Sequence, residues 1–118
     1  MTLSKRDQER LQYIAQSLDL IDQYVAFGKA AFDKDTMVQD AILRRLETLA
    51  DATHHLPDEL KDRHPNVPWR AIYGFRNVAA HAYEVLDLRR VWQIVTQQLS
   101  DLKAVIHDEL AQLENEST

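Results

Sequence analysis

Residues 68–83 read Pro-Trp-Arg-Ala-Ile-Tyr-Gly-Phe-Arg-Asn-Val-Ala-Ala-His-Ala-Tyr, and Arg76, Asn77, His81 and Tyr83 stand there among small and apolar neighbours. An arginine offers a rigid fork of donors that matches phosphate oxygens and stays charged. A histidine, with an unperturbed pKa of about 6.5, gives or takes a proton near neutral pH. An asparagine can orient an oxygen. This set suits phosphodiester cleavage. RNA carries its own nucleophile, the 2′-hydroxyl, so positioning, charge stabilisation and proton transfer are enough without a metal-bound water.

The spacing restricts how these groups can meet. Arg76 and Tyr83 are seven residues apart and share one face of a helix. His81 lies five residues from Arg76, about 140° around an ideal helix. Convergence therefore requires the helix to end near His81, or a second chain to contribute. Cleavage also moves two protons, and this segment holds one well-placed imidazole. A two-fold dimer with both motifs on its axis supplies a second, so a homodimeric site is expected.

Charge bears on the same question. The chain of 118 residues has a net charge of −5, unlike a basic nucleic-acid coat protein. From Arg63 to Tyr83, however, there is no Asp or Glu, while Arg63, Arg70 and Arg76 are all present. An acidic protein can carry one local phosphate-binding patch. Arg89 and Arg90 either extend an RNA-binding surface or form a solvated helix face. With no cysteine, disulfides and thiolate zinc sites are excluded. The start of the chain lacks an apolar run of signal-peptide length and no stretch approaches a membrane span, so a soluble cytoplasmic protein is expected.

The elements that must hold these groups are helices. Two glycines and three prolines leave few turns. Leu11, Ile14, Leu18, Ile21 and Val25 line one face of a helix from about Ser4 to Phe27, which Gly28 can end. A second helix starts near Asp33 or Asp35 and carries Val38, Ile42, Leu46, Leu49 and Thr53 to about His55, with Arg44, Arg45 and Glu47 on other faces. Leu56-Pro57 stops it. Pro57 to Arg63 allows one or two turns, and 64–67 a loop. Pro68 opens the helix that bears the chemistry. Asp87 caps a final long helix with the stripe Leu88, Val91, Val95, Leu99, Leu102, Ile106 and Leu110, fraying from Glu114. The pattern predicts an all-α, antiparallel up-and-down bundle of four long helices plus a short one, in one domain over residues 1–118.

Arg76-Asn-Val-Ala-Ala-His81-Ala-Tyr83 resembles the R-x4-H-x-Y motif of HepT ribonuclease toxins. In the wider HEPN superfamily that motif is R-x4-6-H, with a polar residue after the arginine, here Asn77. Pro68-Trp69-Arg70, Asp87-Leu88, Trp92 and the stretch Gln39-Asp40-Ala41 to Glu47 resemble the family as well, over about Arg10 to Leu102. The resemblance implies a HEPN-like bundle that forms a homodimer with the motifs facing a shared cleft. It implies metal-independent endoribonuclease activity without a cofactor, with Arg76 and His81 as the catalytic pair and Asn77 orienting substrate or His81. It also implies a toxin–antitoxin system of type VII-like character, whose antitoxin MntA, a minimal nucleotidyltransferase, transfers AMP to the motif's tyrosine, here Tyr83. The alternative within the resemblance is a non-catalytic helical partner that binds a nucleotide or docks a nucleotidyltransferase.

Other residues carry weaker signals. His54, His55 and His64 lack the acids or cysteines that would complete a metal site, and are read as exposed or capping histidines. Trp69 and Trp92 are read as core or dimer-interface aromatics, with base stacking as the alternative. Tyr13, Tyr24 and Tyr73 are read as packing residues. Arg70, Arg89 and Arg90 complete the set of candidate phosphate contacts.

Overall fold

Ser4 opens the first helix, α1 (Lys5–Val25), by accepting a hydrogen bond from the Asp7 amide at 3.1 Å. The computed structural model describes residues 2–85 and 87–117, without the side chains of Tyr83, Val85 and Ser117. Along α1 the predicted stripe is the buried one: Leu11, Ile14, Leu18 and Ile21 face the core. Asp35 caps α3 (Thr36–His54), accepting from the Met37 amide at 2.9 Å. Ile42, Leu46, Leu49 and Thr53 are buried as expected, joined by Gln39, Leu43 and Ala50.

Between α1 and α3 lies a helix that periodicity does not reveal, α2 (Lys29–Lys34). Gly28 precedes it at φ +97°, a left-handed conformation that favours glycine. Phe32 from α2 is fully buried, with its ring centroid 5.2 Å from that of Trp92. The buried Gln39 side chain donates to the Phe32 carbonyl at 2.8 Å, which ties the short helix to α3.

After Pro57 comes α4 (Asp58–Asp62), then α5 (Trp69–Ala80) and α6 (Ala82–Val85). The Trp69 indole donates to the carbonyls of Lys61 and His64, at 3.2 and 3.0 Å, and so holds the loop that enters α5. The expected final long helix is two helices, α7 (Leu88–Gln97) and α8 (Ser100–Ser117). Asp87 caps α7 through the Arg90 amide. The break at Gln98-Leu99 involves neither glycine nor proline: Gln98 leaves helical geometry at φ −114°, ψ 8°. Val95, Leu99 and Leu102 stay buried on either side of it. The apolar stripe therefore runs in phase through a bend that it cannot signal. The last helix also continues to Ser117 rather than fraying from Glu114.

The bundle is ordered around α3, which packs between α1 and α5, while α8 packs along α1 and α7 reaches α1, α5 and α6. Among the described residues, no helix is long and apolar enough to cross a membrane.

One polar cluster is built into this frame away from the α3–α5 face. Glu109 of α8 is buried, and its carboxylate accepts from Arg63 Nη2 at 2.7 and 2.9 Å and from His64 Nε2 at 2.7 Å. Burial pushes the Glu109 carboxyl up, but the hydrogen bonds and charges of His64 and Arg63 outweigh it and hold it below its ordinary value of 4.5. A carboxyl whose folded pKa is depressed stabilises the fold above its unfolded pKa, and that contribution is lost as pH falls through the folded value. Glu109→Gln is therefore expected to lose about 1–3 kcal/mol near neutral pH. Below the ordinary value of 4.5 its stability should converge on that of the wild type. Urea midpoints at neutral and acid pH check this. An equal gap at both would separate the loss from the carboxylate's charge.

Candidate functional site

The decisive local event is the end of α5. The helix stops at Ala80, and His81 sits at its C-terminal cap with φ −111° and ψ 10°. Its amide donates to the Asn77 carbonyl at 3.1 Å, which closes the last turn. Departure from helical geometry at His81 is one of the two conditions under which Arg76 and His81 can reach a common point. Both side chains, with Asn77 and Ala80, line one cleft of about 800 Å³. That volume falls within the range of small-ligand sites.

The opposite walls come from α1 and α3. Arg10 and Tyr13 project from α1, and Arg44, Glu47, Thr48 and Asp51 from α3, with His55 at its C-terminal cap. Three arginines and two imidazoles thus face two carboxylates, a locally cationic opening in an acidic chain. Sequence reading missed Arg10, Tyr13, Arg44 and His55. A signal existed on α3: residues 44, 47, 48, 51 and 55 recur at three- and four-residue steps and form a polar stripe beside the apolar one.

Arg76 is held from two sides. Its Nη1 donates to Asp51 Oδ1 at 3.2 Å, and its guanidinium carbon lies 5.4 Å from the centre of the Tyr73 ring. Tyr73 in turn stacks on His54, centroids 3.8 Å apart and planes 14° from parallel. Both partners of the Arg76–Asp51 pair are more than two-fifths exposed, so the pair orients the guanidinium and adds little to stability. Asp51 serves twice, because its backbone carbonyl lies 2.8 Å from His55 Nδ1. Arg10 Nη1 donates to the His55 carbonyl at 3.2 Å and bonds Asp7 at 3.4 Å. On the near wall, His81 Nδ1 lies 3.0 Å from Glu84 Oε2.

The other sequence candidates fall elsewhere. Arg70, Arg89 and Arg90 are exposed and do not line the cleft. The acid-free window from Arg63 to Tyr83 is not one patch, since Arg63 is engaged by Glu109. Tyr83 belongs to α6, and its side chain lies outside the described residues. Trp69 and Trp92 are half-buried core aromatics. Tyr13 and Tyr73 depart from the packing role expected of them: each is more than a third exposed, one lining the cleft and the other beneath Arg76. Among the described residues, no group of three or more His, Cys, Asp or Glu is placed to hold a metal ion.

Comparison with known proteins addresses the family. The sequence model of a family described as "Ribonuclease HepT-like" matches residues 14–108. The chain belongs to the HepT-like ribonuclease family. The match runs from Ile14 in α1 to the first half of α8, so α2 to α7, with the Arg76–His81 segment, lie wholly within the HepT-like region. Among named relatives, a "Probable ribonuclease HepT" of Thermococcus cleftensis is 31% identical over 104 residues, covering 86% of this chain and 93% of the relative. A "Putative RNase" of Methanocaldococcus jannaschii is 28% identical over 103 residues, covering 86% and 94%. Another of that description, from Caldanaerobacter subterraneus subsp. tengcongensis, is 28% identical over 99 residues, covering 83% and 88%. No solved structure matches the chain. The HEPN-like helical bundle expected from the motif is the architecture found.

Proposed function

We propose that this HepT-like chain, acting as one helical domain over residues 1–118, is a cytoplasmic endoribonuclease toxin whose chemistry takes place in the cleft between α1, α3 and α5. The observation that carries the reading is the end of α5 at His81, which lets an imidazole share an opening with Arg76. Arg76 binds the scissile phosphate and stabilises the charge that builds on it. His81 moves a proton, and Asn77 orients the substrate or the ring. Arg10 and Arg44 receive flanking phosphates. Arg70, Arg89 and Arg90, outside the cleft, serve only as contacts for RNA that extends past it. The 2′-oxygen attacks phosphorus, the bond to the 5′-oxygen breaks, and a cyclic phosphate and a 5′-hydroxyl result. Cations and imidazoles suffice for these steps, so no metal or other cofactor is invoked. Purified protein is expected to cleave single-stranded RNA in the presence of a chelator and leave cyclic phosphate ends. An inert preparation, free of any modification by mass, would instead favour a non-catalytic docking partner.

Homodimerisation, implied by the family resemblance, would bring the two Arg76–His81 motifs to face one shared cleft, where the second chain supplies a second imidazole, and sedimentation at several concentrations tests it. The same resemblance supports control by an MntA-like nucleotidyltransferase antitoxin that transfers AMP to the Tyr83 hydroxyl. An AMP group two residues from His81 adds bulk and negative charge where RNA phosphate must enter. Incubation with such an enzyme and ATP should add one AMP mass to the wild type and none to Tyr83→Phe. An increment that persists in the variant would move the acceptor elsewhere.

Asp51 has a positioning role in this reading. Asp51→Ala frees the Arg76 guanidinium and removes a negative charge from the cleft, while keeping the carbonyl that His55 uses. The expected outcome is a fall in kcat of roughly tenfold to a hundredfold. KM should fall as well, because phosphate is no longer repelled. Steady-state kinetics on a short RNA separate the two effects, and an unchanged kcat would remove Asp51 from the machinery.

A further inference from the structure

The polar groups of the cleft divide by whether the fold already uses them. Asp51 holds Arg76, and Arg10 bonds Asp7 and the His55 carbonyl. Thr48 Oγ1 donates to the carbonyls of Arg44 and Arg45, at 3.1 and 3.3 Å. Tyr13 and Glu47 are left over. Among the described residues, neither side chain makes a hydrogen bond, an ion pair or a ring contact. Glu47 does not pair even with Arg44, three residues before it on α3. Tyr13 is 37% exposed, an aromatic that α1 turns into the cleft and not into the core.

Neither group suits the phosphate that the arginines take. A carboxylate repels it, and a phenol ring brings it no charge. Both suit the other part of a nucleotide. An aromatic ring stacks on the face of any base, and an unpaired base turns the N–H donors of its edge to an acceptor. The two walls repeat one arrangement. Arg10 and Tyr13 are three residues apart on one face of α1, and Arg44 and Glu47 are three apart on one face of α3. Each wall offers a cation for phosphate and, about one turn on, a group for a base.

The carboxylate narrows the choice of base. Its two oxygens lie side by side and only accept. Guanine carries two adjacent donors on its Watson–Crick edge, the N1 hydrogen and the N2 amino group, and matches both oxygens. Adenine and cytosine set their amino group beside a bare ring nitrogen, which repels the second oxygen. Uracil has one N–H between two carbonyls. In a duplex this edge is already paired, so the guanine must be unpaired.

We infer that Tyr13 and Glu47 form a base-binding subsite for an unpaired guanine next to the scissile phosphate, with Tyr13 as the stacking platform and Glu47 as the acceptor of N1–H and N2–H. The inference rests on the ribonuclease reading and gives it a substrate preference. The arginines hold the backbone of any RNA, and this subsite selects the step at which Arg76 and His81 act.

The test uses short oligouridines that carry guanine, inosine, adenine or an abasic site at one central position, with cleavage mapped from labelled ends. The wild type is expected to cut beside guanine about tenfold or more faster than beside adenine, with inosine, which lacks the N2 amine, in between. Glu47→Gln should bring guanine down to the rate of adenine. Tyr13→Ala should lose roughly fivefold to a hundredfold in kcat/KM on the guanine RNA, and Tyr13→Phe, which keeps the ring, should recover most of that loss. On the abasic RNA the gap between wild type and Tyr13→Ala should close, which a damaged fold would not allow. Melting temperatures check the fold of each variant. A gap that persists on abasic RNA would make Tyr13 structural and overturn the inference. Wild-type cleavage that is equal beside all bases, or faster beside adenine, would overturn it too. In either case the observed cleavage leaves the ribonuclease reading standing. A wild type that cuts neither these RNAs nor RNA of mixed sequence would overturn that reading, and this inference with it.

Discussion

Replacing His81 or Arg76 by alanine is expected to reduce RNA cleavage by about 10²- to 10⁴-fold while leaving the protein folded. Both side chains sit at the rim of the bundle. Arg76 is engaged by the half-exposed Asp51 carboxylate and by the face of Tyr73, and His81 by an exposed Glu84. Neither belongs to the apolar core, so truncation leaves no cavity and no buried unpaired charge. Stability should stay within about 1 kcal/mol of the wild type, as for exposed ion pairs generally. The two losses differ in kind. Arg76→Ala removes a cation that binds substrate as well as the transition state, so KM should rise while kcat falls. His81→Ala removes a proton donor, so kcat should fall with KM nearly constant. Single-turnover and steady-state rates on one short RNA, with melting curves for both variants, check the set. Full activity in either variant would refute the assignment of that residue.

The largest effect on stability is expected at Phe32. Its side chain is fully buried, packs against Trp92 and brings the six-residue α2 onto α3. A helix that short has no stability of its own, so its order depends on this anchor. Phe32→Ala should cost about 3–5 kcal/mol, the range for a buried aromatic truncated in a close-packed core. Such a loss is a large share of the ~5–15 kcal/mol that holds a domain folded. Urea denaturation measures it directly. A cost under about 1 kcal/mol would mean that the core collapses onto the vacated space.

Phe32 also marks what the amino-acid order conveys and what it withholds. Long apolar stripes on α1 and α3 are legible because many residues repeat one angle, and the caps Ser4, Asp35 and Asp87 stand where their side chains predict. α2 is too short to show a period. The bend at Gln98-Leu99 leaves the stripe in phase, so it is silent. The site divides along similar lines. Arg76, Asn77 and His81 are legible because they are neighbours in one segment whose residue types stand out. Arg10, Arg44 and His55 are brought to them only by packing of α1 and α3, and an arginine on a distant helix looks the same whether it meets solvent or phosphate. The polar cluster Arg63–Glu109–His64 spans 46 residues of chain and has no local signature.

That His81 occupies the terminus of α5, and not its middle, has a consequence for the ancestry of such sites. Inside a continuous helix, each inserted residue would swing the imidazole by about 100° and destroy its meeting with the arginine. At a helix end, an extra residue can be absorbed by the connection without rotating what precedes it. The interval between the two groups is thus free to drift by deletion or insertion, and an Arg-to-His gap of four, five or six residues can serve one geometry.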